Sequence, residues 1–284
     1  MYSRPQPVQF VWAIRERTIA NFLPPHKNRF MSDADKHRAR IFLHRGQLAQ
    51  AKAAYEQAVA DDRLAKDDRA LSDSLGNLGN VCALSGDLDR AEVCYREVLN
   101  IQRMEQNQHA IAHTLVNLGN LHIGADHPEK AHPYYLEALD LLRDLKDDRA
   151  LGILHNNLAL QEAREGQWEQ AVTSFTQALD YHRVVGNEEG LAVTYSQLGK
   201  CFLDQGDLTR SERCLNNASE HYIKLGNEPA EAAVLRLLAT LYSTRHDLVS
   251  AQRCLERVVA LDLRYKLPDL QADSDYLANL KQPE

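Results

Sequence analysis

Four side-chain amides stand at intervals of forty residues: Asn77, Asn117, Asn157 and Gln197. A primary amide both donates and accepts hydrogen bonds, which is what the backbone of a bound peptide requires. A lone asparagine more often caps a neighbouring helix or satisfies a loop carbonyl, but four in one phase favour a recognition row. Their combined strength is bounded. At a net ~1 kcal/mol per hydrogen bond they offer about 4 kcal/mol, against the ~8 kcal/mol of a micromolar complex, so apolar or charged neighbours must supply the rest. Histidine is also dense, at His109, His113, His122, His127 and His132. His109 and His113 have the i,i+4 spacing of two metal ligands on one helix. No cysteine or carboxylate at matched spacing completes a set, and His109 can fall in the loop before that helix, so no metal or other cofactor is expected. Catalysis by this chain alone is not expected either, because it carries no nucleophile motif, phosphate-cradling glycine loop or paired carboxylates.

Composition narrows the partners. The five cysteines, Cys82, Cys94, Cys201, Cys214 and Cys254, are odd in number and lack CxxC spacing, which fits a reducing compartment and a cytoplasmic location. Cys94, Cys214 and Cys254 share one slot of the forty-residue unit, where a small apolar side chain packs well, so they read as core. No apolar run approaches the ~20 residues of a membrane span. Residues 1–30 carry Arg4, Arg15, Arg17, Lys27 and Arg29 against Glu16, a balance of +4, which leaves −11 for the rest of a chain whose net charge is −7. A body that acidic is a poor match for nucleic acid, whose phosphates need a basic face. Export is not expected, since Val8 to Ile14 is interrupted by Gln9 and followed by Arg15-Glu16-Arg17. Two readings of the basic segment stand: an amphipathic helix over about Val8 to Leu23 covering the first unit, or an extension upstream of a start at Met31. A transit peptide ranks third, weakened by Pro24-Pro25 and the scarcity of serine.

The elements that must position the amides follow from the repeat. Asn77-Leu78-Gly79-Asn80 returns as Asn117-Leu118-Gly119-Asn120, then as Asn157-Leu158-Ala159-Leu160, Gln197-Leu198-Gly199-Lys200 and Leu237-Leu238-Ala239-Thr240. Thirteen residues after each leucine comes a small residue: Ala91, Ala131, Ala171, Ser211 and Ala251, with Ala51 earlier in the series. Four further on stands a bulky one: Tyr55, Tyr95, Tyr135, Phe175, Leu215 and Leu255. Apolar positions at spacings of three and four make each unit two helices around a turn. Gly46, Gly86, Gly166 and Gly206 mark the turn, with Asp126 and His246 in the remaining units, and Asp87, Asp207 and Asp247 are placed to cap the second helix. Pro128 suits a first turn, whereas Pro133 falls inside a helix at some cost. Glycine inside a helix costs roughly 1 kcal/mol, and close packing of Gly79 against Ala91 is the expected compensation. The duplicated Lys-Asp-Asp-Arg-Ala at Lys66–Ala70 and Lys146–Ala150 reads as solvated connectors. Asp35 and Arg38 stand where the first helix should offer leucines, which predicts a solvent-facing end, and Leu267 to Leu280 reads as a C-terminal cover.

This pattern over residues about 33–270 resembles the tetratricopeptide repeat, and its forty-residue length is similar to the subgroup of kinesin light chains and spindle-orientation adaptors; arrays of this length also occur in bacterial regulators. The resemblance implies an all-α fold: an α-solenoid of stacked helix-turn-helix units in a right-handed superhelix. It implies six units at about 31–70, 71–110, 111–150, 151–190, 191–230 and 231–270, after an N-terminal extension at 1–30 and before a capping helix and tail at 268–284. It also implies that the first helices line a groove holding a segment of another protein. On those helices Asn77, Asn117, Asn157 and Gln197 form the central row. His113 and Ile153, with Asp73 and Val193, fall one turn earlier; Asn80, Asn120 and Lys200, with Leu160, one turn later; Arg164 further on. The early and central slots hold no lysine or arginine, which argues against a receptor for chaperone carboxyl-terminal tails. The expected function is a non-catalytic adaptor for a partner's peptide or helix. The alternative is a sensor whose array binds a peptide or small effector and controls a separate enzyme or transcription factor, and a third, weaker one is an assembly protein that polymerises through its end repeats. Partner identity and oligomeric state are not legible.

Overall fold

The computed structural model describes residues 32–280. The basic segment and its amphipathic stretch from Val8 to Leu23 lie outside them. Thirteen α-helices account for the regular structure among the described residues. The chain divides into two compact units, 1–127 and 128–284. In the first, α1 (Ser32–His44), α2 (Leu48–Ala65), α3 (Asp68–Leu84), α4 (Leu88–Met104) and α5 (Gln108–Gly124) each pack on the next. In the second, α6 (Pro128–Leu145), α7 (Asp148–Arg164), α8 (Trp168–Val184), α9 (Glu188–Asp204), α10 (Leu208–Lys224), α11 (Glu228–Thr244), α12 (Leu248–Tyr265) and α13 (Leu270–Leu280) do the same. The fold is an all-α repeat solenoid.

The structural period is twenty residues, half the sequence period. One residue in the left-handed region ends every turn, at intervals of twenty from Gly46 to Lys266. The sequence marks half of these turns, those inside a unit. Between units the same conformation falls on Lys66, Gln106, Lys146, Gly186, Gly226 and Lys266. The two Lys-Asp-Asp-Arg-Ala copies are therefore not simple connectors: Lys66 and Lys146 close the preceding helix, and Asp67 and Asp147 cap the next by accepting from the Ala70 and Ala150 N–H groups. Asp87, Asp207 and Asp247 cap α4, α10 and α12 as their position predicts. Each such cap is worth about 1 kcal/mol. Pro128 opens α6 and Pro133 lies within it.

The series of small residues and the series of bulky residues are both buried from Ala51 and Tyr55 to Ala251 and Leu255. Each large apolar side chain so placed contributes roughly 1.5–3 kcal/mol. A Cβ on Gly79 would stand 2.7 Å from the Tyr95 ring, so this glycine makes room for the bulky residue of the facing helix. Gly199 does the same for Leu215, at 2.8 Å. Asp35 is buried, paired with Arg38, and does not face solvent. Nearby, Lys36 lies 3.1 Å from buried Asp62, which also accepts from the Ser74 hydroxyl at 2.6 Å.

Candidate functional site

In the second unit α9 packs directly on α7 and α11 as well as on the helices before and after it. The first helices of successive pairs therefore form one wall. Its outward side is set by helical spacing: Leu154, Leu158 and Ala159 of α7, and Leu198 and Gly199 of α9, are buried, while Ile153, Asn157 and Leu160, and Val193 and Gln197, are half-buried and Lys200 is exposed. Leu237 continues the central row on α11, half-buried, with exposed Thr240 after it. This face mixes aliphatic surface, amides and charge. Arg164 is exposed at the last residue of α7. Lys200 is held by Asp204 at 2.7 Å. Gln197 Oε1 is shut off from solvent and accepts no hydrogen bond. Such an acceptor costs roughly 1–3 kcal/mol until a donor reaches it.

The first unit presents its own members of the rows. Asn77, Asn80, His113, Asn117 and Asn120 are all half-buried on α3 and α5. Asn77 and Asn80 are partly committed. Asn77 donates to the Asp73 carbonyl of its own helix at 2.8 Å, and Asn80 accepts from the Tyr95 hydroxyl at 2.6 Å, so Asn80 secures the bulky core residue. His109 lies inside the first turn of α5, not in a preceding loop, and is exposed.

Sequence reasoning missed a second polar register behind the face. Ser74 donates to Asp62, and Thr114 donates to Gln102 Oε1 at 2.7 Å; both pairs are twelve residues apart and tie the end of one unit to the start of the next. The same spacing joins His182 and Thr194, but there the Thr194 hydroxyl is buried without a partner and His182 Nδ1 meets the Asn187 amide at 3.2 Å. The His182 ring sits between Gly152 and Gly190, where Cβ atoms would come within 2.7 and 2.6 Å of it. Burial pushes its pKa down to about 4, with Arg149 adding to the effect. His155, stacked on Tyr181 at 5.5 Å, is likewise held at about 4 by burial and by Arg143. The available signal was a polar residue recurring in one phase, Asp62, Gln102, His182 and Asp262.

The cysteines behave as core residues. All five are unpaired, four of them buried, and burial pushes Cys94 and Cys214 up to about 11. No described helix is long and apolar enough to cross a membrane.

Residues 30–104, 71–144, 150–222 and 190–264 match the sequence model of the tetratricopeptide repeat. The chain belongs to the tetratricopeptide repeat family. No curated protein sequence matches this tetratricopeptide repeat chain at a significant level. Solved structures do. BtubC (BKLC) from P. vanneervenii is 20% identical, with a TM-score of 0.69 over 77% of this chain and 92% of its own. A signal transduction ATPase with numerous domains and a tetratricopeptide repeat sensor, from Pyrococcus horikoshii, gives 0.72 at 14% identity over 94% of this chain and 40% of its own. A Rap protein complexed with competence and sporulation factor gives 0.64 at 13% identity, covering 87% of this chain and 74% of its own. At these identities the likeness is one of fold. No catalytic family is indicated, and the tetratricopeptide repeat is a protein-interaction module.

Proposed function

We propose that this chain is a non-catalytic adaptor that takes a peptide or helical segment of a partner protein along the first-helix wall. The half-buried row of Asn157, Gln197 and Leu237 carries the reading, aligned on the wall that α7, α9 and α11 form. Side-chain amides can both donate to and accept from the backbone of a bound segment. Ile153, Leu160 and Val193 then supply the apolar burial that the amides alone cannot, and Arg164 and Lys200 set the charge preference for an acidic segment. The five unpaired cysteines support a cytoplasmic setting. Two of the similar structures are described as a sensor and as a complex with a factor, which is in keeping with a peptide occupant of this fold.

The test is affinity capture from native lysate with wild type beside Asn157→Ala/Gln197→Ala, followed by titration of the captured segment. The double variant is expected to bind at least tenfold more weakly with nearly unchanged thermal stability. Equal affinity overturns the assignment of this face. A ligand-dependent change in radius of gyration would instead mark a sensor.

A further inference from the structure

One stripe of α1 is open that every later copy of the unit covers. In α3 the stripe is Ser74, Leu78 and Val81, at spacings of four and three residues, and all three are fully buried. The Ser74 hydroxyl reaches Asp62 of α2, and Thr114, in the same slot of α5, reaches Gln102 of α4, so the stripe lies against the second helix of the preceding copy. The same slots are buried in each of the four copies that follow. In α1 they hold Ala34, Arg38 and Ile41, all exposed, Ile41 at 37%. No helix precedes α1 among the described residues. A repeat that cannot cover its own face needs a neighbour or a cap at that end.

The register of the chain says what fits there. Forty residues before α2 (Leu48–Ala65) lie residues 8–25, which hold the amphipathic stretch from Val8 to Leu23 and then Pro24-Pro25, a pair that stops a helix. Second helices meet the next first helix through two slots, that of Leu179, which shares a core with Leu191 and Leu198 of α9, and that of Asp62. In residues 8–25 those slots hold Ile19 and Phe22, both apolar and three residues apart. Phe22 stands twelve residues before Ala34, as Asp62 does before Ser74, so a large side chain falls opposite a small one. The slot that packs on a unit's own first helix, as Tyr95 does on Gly79, holds Arg15, which suits a helix with solvent on its outer side. We propose that residues 8–23 of this chain pack as a second helix on the Ala34, Arg38 and Ile41 stripe, with Phe22 over Ala34, and close this end of the array against a second copy. The stripe is distinct from the row of Asn157, Gln197 and Leu237, so the inference stands apart from the proposed groove.

The experiment oxidises the full chain carrying Phe22→Cys/Ala34→Cys beside a control carrying Ala20→Cys/Ala34→Cys, both with Cys254→Ala, since the other native cysteines are buried. Ala20 occupies the slot of exposed Ala60, on the opposite side of the helix from Phe22. Disulfide geometry demands that the two Cβ atoms face each other closely. A rapid intramolecular disulfide is expected in the first protein and a much slower one in the control, read by non-reducing electrophoresis and peptide mass. Hydrogen exchange of wild type, Phe22→Asp and Phe22→Leu supplies a second readout that needs no cross-link. Exchange in α1 is expected to run about tenfold faster in Phe22→Asp, the scale of one lost aromatic contact, and close to wild type in Phe22→Leu, with α4 and α5 unchanged in both. A disulfide formed mainly between two chains would assign the stripe to a second copy and overturn the proposal. Equal oxidation rates in the two pairs, or exchange in α1 indifferent to Phe22→Asp, would overturn it as well.

Discussion

Two glycines three residues apart on α3 show how differently one residue type can be used. A Cβ at Gly76 meets nothing within 4 Å, whereas at Gly79 it meets the Tyr95 ring at 2.7 Å. Gly76→Ala is therefore expected to stabilise the fold by about 0.5–1 kcal/mol through the lost flexibility of the unfolded chain. Gly79→Ala is expected to destabilise it by about 1–3 kcal/mol, since the ring is fixed by its hydroxyl on Asn80 and cannot retreat. Urea melts of the two variants beside wild type check the opposite signs. The buried histidines make a second argument at this scale. His155 and His182 both titrate near 4 in the fold, below the 6.5 of the free side chain. The unfolded chain then binds more protons in that window, so stability falls as pH drops from about 6.5 to 4, by about 3 kcal/mol per histidine at the lower end. His182→Gln places there the residue type that Gln102 offers to Thr114, within reach of the unpartnered Thr194 hydroxyl. The difference in melting temperature between pH 7 and pH 5 is expected to shrink by about half in that variant, leaving the share of His155.

The helices are tied by side chains twelve and twenty-six residues apart. Lys36 pairs with Asp62 in the first repeat and Arg236 with Asp262 in the last, the same two slots of the unit. Intervening copies hold Gly76, Val116, Asn156 and Ser196 in the first slot and Gln102, Leu142, His182 and Tyr222 in the second. Charge therefore marks the first and last of the described repeats, the last of them packed on the shorter helix α13. At the C-terminal end Arg236 also reaches Asp273 of α13 at 2.6 Å, and Tyr276 donates to Ser243 at 2.7 Å. Arg236→Leu leaves the fully buried Asp262 without its cation and is expected to cost about 3–5 kcal/mol. Hydrogen exchange in α13 should rise well beyond that in α9 and α10; uniform protection across the second unit would show that the cap is held by apolar packing instead. Little of this register was legible beforehand. The small and bulky series and the aspartate caps could be read because each follows from a residue's own volume or backbone preference. Asp35, Asp62 and Asp262 could not, because a buried charge is licensed only by a partner elsewhere in the chain, and the turns at Lys66 and Lys146 lacked the glycine that advertises a left-handed residue. The half-buried amide rows were legible from spacing, whereas the commitment of Asn80 to Tyr95 required the fold.

For the molecule as a whole, the uniform period of twenty residues means that any forty-residue excision restores the register of caps and turns. Removing residues 188–227 joins Asn187 to Glu228, and since Asn187 and Asn227 cap their helices in the same way, helix phase is kept. Nearest-neighbour stability then predicts a folded, shorter array with the same helical signal per residue and a lower melting temperature. The junction carries one defect. Gly190, whose missing Cβ accommodates His182, is replaced by Ala230, and a Cβ there would press within about 2.6 Å of the ring. Tyr222 is the residue that Ala230 follows at the same distance in the intact chain. His182→Tyr in the shortened chain thus recreates a pairing that the protein already contains. The deletion alone is expected to melt lower than the deletion carrying His182→Tyr, whereas in the full-length chain, with Gly190 present, the same substitution is expected to bring no gain. Thermal melts of the four proteins decide it: an equal effect of His182→Tyr in both lengths would mean that the neighbour interface tolerates either residue, and that the pairing between successive repeats is less specific than the Gly190–His182 contact implies.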